Sequence, residues 1–234
     1  MIQAFFGGAA SLRARQTSMD TIANDIANVN TAGYVQKEAS FSDLLHDSMV
    51  RPDNTAYAEE LQGSGAAVDA IAKDMSPSAL IQTGSQLDFA AKGNGFFAVR
   101  DAQGTISYTR AGTFTEKIVG DGTVLADEQG RTVLDAQGNA IAVRDGSPQT
   151  EPGVFTFTYP QNLTAQGDTL FTPNASSGAA QLSGEGVAQG VYEASNVDLA
   201  NQMSRMIVTQ RGFQMNARVV STADQIEAYT NDLH

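Results

Sequence analysis

Apolar positions near the start of the chain recur with helical spacing. Leu12, Met19, Ile22, Ile26 and Val29 lie 7, 3, 4 and 3 residues apart, which places them in one row along a helix. The stretch TAGY at 31–34 ends the pattern, with Gly33 the natural stop. The same spacing returns near the other end. Leu199, Met203, Met206, Phe213, Ala217 and Val220 step by 4, 3, 7, 4 and 3. The preceding SNVD offers Ser195 or Asn196 as a cap and sets Asp198 near the positive end of the helix dipole. Gly212 interrupts this second row at a cost of about 1 kcal/mol relative to alanine, which suggests either the close approach of another backbone or a tolerated weakness.

Between the two rows the period changes. Residues 86–190 hold short runs such as GFFAV, ISYT, TFTE, TVL and VFTFTY, separated by turn signals, and these read as strands. A four-residue unit recurs as DAQG at 101–104, DEQG at 127–130 and DAQG at 135–138. Aspartate opens a turn by bonding its own backbone, and glycine closes it in the left-handed region. Hairpin turns are therefore expected. The rival reading, calcium ligation, lacks the spacing of an EF-hand or of a β-helix repeat. Residues 35–85 are rich in breakers and read as an extended connector, with FSDLLHDSM suited to a short amphipathic turn.

The predicted fold class is α+β. An N-terminal helix spans 1–34, a connector 35–85, a β-rich domain of short antiparallel strands 86–190, and a C-terminal helix 191–234. The matching rows predict that the two helices pair as a coiled coil. A single pair leaves much of each helix uncovered, so the rows ask for neighbours from other chains. Asn24 and Asn28 stand at i and i+4 beside the first row, where amides are poor helix formers. They are expected to fix register against neighbours, with Asn28 or Asn30 also able to end the helix.

Charge changes the picture in one respect. The chain has 234 residues and a net charge of −12, and 19 acidic against 8 basic side chains fall within 38–190. The acidity thus belongs to the middle, and the ends are nearly neutral. An acidic middle excludes the basic surface that nucleic acid requires. No apolar run is long enough for a membrane span, and the first residues lack the basic start of a signal peptide.

Candidate chemistry is sparse. The chain has no cysteine and two histidines, His46 and His234, without ligand-spaced partners. It contains no nucleophile elbow and no P-loop, and GNGFF at 93–97 lacks the third glycine of a dinucleotide loop. No catalytic residue, metal or cofactor is expected. Paired carboxylates of a glycosidase, or a β-rich adhesin with helical arms, stand as alternatives motivated only by unplaced acids and by the β content.

Three blocks carry a resemblance. IANDIANVNTAGY followed by FSDLL resembles the N-terminal signature of the bacterial flagellar rod and hook protein family, whose usual form is N-N-x-A-N-x-N-T-x-G-F. QTGSQLDFAAKGNGFFAVRDAQGTISYTRAGTF resembles the entry to that family's β domain, and SNVDLANQMSRMIVTQRGFQMNARVVSTADQ its C-terminal helix. Asp25 stands where the family usually has Asn, Tyr34 where Phe is usual, Val35 for a frequent Lys and Gln202 for a frequent Glu. The resemblance implies a structural axial protein. Its end helices would form the inner tube of a helical filament with the β domain outside, and it would leave the cell through the flagellar export channel without a cleavable signal. Implied partners are copies of itself, adjoining rod and hook proteins, and basal-body bushing rings. The connector looks most like that of distal-rod members, with hook proteins as the alternative.

Overall fold

A computed structural model describes residues 2–43, 47–48, 61–62, 65–120, 122–167, 169–184 and 186–232. The chain forms two compact units, each discontinuous in sequence. One comprises 1–26, 37–72 and 199–234; the other comprises 27–36 and 73–198.

The first unit is dominated by two helices, α1 (Ile2–Ala27) and α2 (Leu199–Asp232). The helix α1 stops two residues before Val29. Its end is a turn in which Thr31 donates from its amide to the Asn28 carbonyl (3.0 Å) and from its hydroxyl to Asn28 Oδ1 (3.1 Å). An asparagine that bonds locally competes with helix continuation, which is why the period in the sequence outlasts the helix. Helix α2 begins directly after Asp198. Asn196 does not cap it: its Oδ1 accepts from the Gln36 amide (2.7 Å) and its Nδ2 donates to the Asp74 carbonyl (2.8 Å). Ser195 Oγ accepts from the Val197 amide in a local turn.

Part of the connector belongs with the helices. Strands Lys37–Asp43 and Ala66–Lys73 form a two-stranded sheet, and Asp47–Ser48 pairs with Leu61–Gln62. Phe41–Asp43 is thus extended rather than a helical turn. Its alternation of small, polar and apolar residues suits a strand with one face against the helices. Leu44, Leu45, His46, Met49 and the stretch 50–60 lie outside the described residues.

The second unit is built on an antiparallel sheet. In spatial order it runs Thr164–Ala165, Leu170–Thr172, Ile106–Thr109, Phe96–Arg100, Thr132–Val133, Gly122–Ala126 and Thr115–Val119. Val154–Thr156 also pairs with the start of Phe96–Arg100. That central strand feeds both faces, because alternate side chains of a strand point to opposite sides. Phe97 and Val99 join one apolar cluster with Phe89, Phe114, Leu125, Val133 and Ile141. Phe96 and Ala98 join another with Tyr108, Leu134, Phe157, Leu163 and Phe171. Edge-to-face ring contacts run through both clusters, with Phe97 on Phe114 (5.4 Å) and Phe96 on Phe157 and Phe171 (5.7 Å each).

All three D-x-Q-G units form turns. The glycine amide returns to the aspartate carbonyl in each, at 2.9, 2.9 and 3.1 Å for Gly104, Gly130 and Gly138, and all three glycines have positive φ. The aspartate carboxylates bond the turn's own amides. Asp127 Oδ1 accepts from Gln129 and Arg131, and Asp135 Oδ1 from Gln137 and Asn139. One oxygen of each of these two carboxylates is thereby engaged by backbone, and Asp127 Oδ2 accepts from Arg131 Nε (2.6 Å).

Gly33 is fixed by two constraints. Its φ is +64°, and a Cβ placed on it would lie 2.1 Å from the Ala111 amide nitrogen. Its own amide donates to the Glu193 carbonyl (2.8 Å). Gly33→Ala is expected to destabilise this unit by more than about 1 kcal/mol. An unchanged thermal midpoint would contradict that reading.

Candidate assembly surface

Helices α1 and α2 touch at three places whose order is antiparallel. Gln202 Nε2 donates to Asp25 Oδ2 (3.2 Å). A Cβ on Gly212 would lie 3.2 Å from Arg15 Nε, and one on Gly8 would lie 2.7 Å from Val220 Cγ2. The glycines at 8 and 212 face a side chain from the opposite helix, so what approaches Gly212 is the Arg15 side chain and not the backbone expected from the sequence.

The contact face of α1 is small and polar. Its buried positions are Ala14, Ser18, Thr21, Ile22 and Asp25. On α2 the buried positions are Gln202 and Thr209, with Met206, Phe213, Asn216 and Val220 half-buried between and beyond them. Positions 202, 206, 209, 213, 216 and 220 step by 4 and 3, the spacing of one helix face. Asp25 is 0 % and Gln202 1 % exposed. Asp25 Oδ1 also accepts from the Lys37 amide (3.2 Å), so one carboxylate joins α1, α2 and the strand Lys37–Asp43. The Gln202 side-chain oxygen Oε1 is buried without a hydrogen-bond partner.

The sequence-predicted residues distribute around this seam. Ile22 is buried. Leu12, Met19 and Ile26 are half-buried on α1, and Asn24 faces solvent. Asn28 and Val29 are half-buried in the turn after the helix. Met206, Phe213, Ala217 and Val220 are half-buried on α2, whereas Leu199 and Met203 are exposed. Of these, Val220 packs against Gly8 of α1. Reading apolar positions alone passed over Ser18, Thr21, Asp25, Gln202 and Thr209. The signal for them was the polar residues recurring seven apart, 18 to 25 and 202 to 209, on a neighbouring row.

A second apolar stripe runs along α2 away from the seam. Ile207, Val208, Met215, Val219, Ile226 and Tyr229 are all exposed. Scattered exposed hydrophobes are ordinary, but here six recur on one side of a single helix, interspersed with Arg211, Arg218 and Thr222, and a run of this kind is what an interface uses.

A groove of about 380 Å³ opens where α1, the strand Lys37–Asp43 and α2 meet. Ile22, Phe41 and Val208 line its apolar part; Arg15, Lys37 and Arg205 bring positive charge, with Glu38 paired to Arg205. Arg15 lies over the Phe41 ring at 5.8 Å.

The titratable cluster of the β-rich unit is structural in kind. Arg110 is 2 % exposed, its guanidinium 5.0 Å from the Phe96 ring centroid and 3.6 Å from Glu193. It donates to the Met75 carbonyl (2.9 Å) and the Ser76 carbonyl (3.3 Å). Glu193 accepts from the Ser78 amide (2.8 Å). Burial raises the Glu193 pKa above the ordinary carboxylate value and lowers that of Arg110, and in each case burial outweighs the partner's opposite charge. Among the described residues no group of three or more His, Cys, Asp or Glu is gathered to hold a metal, and no helix is long and apolar enough to cross a membrane.

The two helical ends match known family profiles. Residues 8–34 match that of the flagella basal body rod protein, and residues 188–233 that of the flagellar basal body rod FlgEFG protein C-terminal region. Over nearly the whole chain it is 31 % identical to the flagellar basal-body rod protein FlgG of Bacillus subtilis, covering 97 % of each protein. The chain belongs to the flagellar basal-body rod protein family. It is also 30 % identical to the FlgG protein of Caulobacter vibrioides over 99 % of each chain, and 27 % identical to the flagellar hook-basal body complex protein FlhP of Bacillus subtilis over the full length of both. The matched profiles of this rod family fall on α1 and α2, the elements that carry the seam and the exposed stripe.

Proposed function

We propose that this protein is a structural subunit of the flagellar rod, in its distal part, and that α1 and α2 pair as a coiled coil within a helical tube of many copies. The observation that carries the reading is the exposed apolar stripe of α2. One helix pair satisfies the seam around Asp25 and Gln202 and leaves Ile207, Val208, Met215, Val219, Ile226 and Tyr229 in water. Burying those side chains is worth roughly 25 cal/mol per Å² of apolar surface, and repeated copies of one subunit supply the cover. A contact between different patches on successive copies generates an open helical polymer when its rotation does not close a ring.

In this reading the chain does no catalysis. It leaves the cytoplasm through the flagellar export channel without a cleavable signal, and it meets adjoining rod proteins, hook proteins and bushing rings. Leu12, Met19, Ile22, Ile26 and Val29 on one side, and Leu199, Met203, Met206, Phe213, Ala217 and Val220 on the other, pack within or between subunits, with Asn24 and Asn28 fixing register. Ile26→Asp or Phe213→Asp is expected to stop rod assembly and motility while export continues. Motile cells carrying either substitution would overturn the assignment. Electron microscopy of basal bodies from a deletion strain separates rod from hook: a rod that stops short supports the rod, and a complete rod without a hook supports the alternative.

A further inference from the structure

The register of the helix pair leaves one end of α2 uncovered. The contacts 25 with 202, 15 with 212 and 8 with 220 set the start of α1 level with about residue 226 of α2. Every residue from Asp224 to Asp232 is exposed, Tyr229 at 72 %. This projecting end carries Ile226 and Tyr229 as large apolar side chains, and Asp224, Glu227 and Asp232 as acids. It has no basic residue in its last turn, so the negative end of the helix dipole adds to its charge.

The groove beside Phe41 is complementary to it. Its apolar lining is open to solvent on the Val208 side, which is 65 % exposed, and its bases outnumber its acid. The groove lies towards the opposite end of the helix pair, because residues 208 and 229 of α2 are about 32 Å apart along the axis. The projecting end therefore cannot fold back into its own groove.

We propose that the groove formed by α1, Lys37–Asp43 and α2 seats the C-terminal turns of α2 from a second copy of this chain. The inference rests on the rod-subunit reading and deepens it by naming one axial contact. Tyr229 and Ile226 enter between Ile22, Phe41 and Val208. Glu227 and Asp232 face Arg15, Lys37 and Arg205. Donor end and acceptor groove lie towards opposite ends of the helix pair, so the contact is heterologous and repeats head to tail, giving an open helix where its rotation does not close a ring.

The chain has no native cysteine, which makes cross-linking a clean test. Two double variants, Ser204→Cys with Thr230→Cys and Val208→Cys with Gln225→Cys, each place one thiol at the groove and one on the projecting end. A disulfide requires Cα atoms within about 7 Å, so it can form only between copies. Rods isolated from cells expressing each variant as the sole copy, then oxidised, are expected to give a ladder of dimers, trimers and higher species. Each single variant should give none. Tyr229→Ala should lower the yield of rods about tenfold. Rods that form normally but show no ladder from either pair would overturn the groove contact alone. Cells whose rods are complete without this protein would overturn the rod-subunit reading itself.

Discussion

Arg110→Met is expected to destabilise the β-rich unit by about 3–5 kcal/mol, the cost of leaving a buried charge uncompensated. The substitution keeps apolar bulk against the Phe96 ring but removes every donor. The Met75 and Ser76 carbonyls lose their partners, and Glu193, 4 % exposed, loses its counter-charge. The effect depends on pH with a definite sign. Burial already raises the Glu193 pKa above its ordinary 4.5, so the folded form holds this proton more tightly than the unfolded one. The group's contribution to stability is therefore full below 4.5 and is lost as pH rises through the raised folded value. Removing Arg110 takes away the largest influence that opposes the rise, and it widens that window. The variant should thus lie closest to the parent in acid and furthest from it near neutrality. Adding Glu193→Gln keeps an acceptor for the Ser78 amide and removes the charge, and the double variant should recover most of the loss. Thermal melts of the three proteins across pH decide it. A single variant equally stable at all pH values, or a double variant no better than the single, would contradict the account.

The order helix, strands, helix was legible because each rests on local pattern. The 3.6-residue rows and the D-x-Q-G turns need only near neighbours in sequence. Turn chemistry in particular is self-contained, as Asp127 and Asp135 bond amides two and four residues away. The seam was not legible in the same way. The apolar rows of Leu12 and Leu199 marked the right elements and the seam positions Ile22, Met206, Phe213 and Val220, but not its deepest contact, which is between Asp25 and Gln202, 177 residues apart. Nothing in a hydrophobic pattern marks a polar pair whose value lies in meeting a distant partner. The unit boundary was hidden for a related reason. Strands Lys37–Asp43 and Ala66–Lys73 are mostly exposed, and their membership with the helices depends on bonds such as Lys37 to Asp25. Arg110 and Glu193 follow the same rule in the other unit: each is an ordinary charge in sequence, and only the fold makes them a buried pair.

Gln202→Glu is expected to cost the helical unit about 3 kcal/mol, and Asp25→Asn added to it is expected to restore stability to within about 1 kcal/mol of the parent. In the native chain an amide on α2 donates to a carboxylate on α1 at 3.2 Å, both fully enclosed. The single change removes the donor and sets two carboxyl groups in one buried site, where both cannot ionise at little cost. The second change moves the amide to α1. Its carbonyl oxygen can still accept from the Lys37 amide, and its NH₂ can donate to the new carboxylate. The pair is thus one donor and one acceptor whose sides are exchangeable. Asp25→Asn alone keeps an acceptor for Lys37 and leaves two amides facing each other, a neutral pair, and should cost less than the carboxyl pair. Helix signal in thermal melts of the four proteins completes the cycle. Additive losses, with the double variant the least stable of the four, would show that the two side chains do not act as a unit.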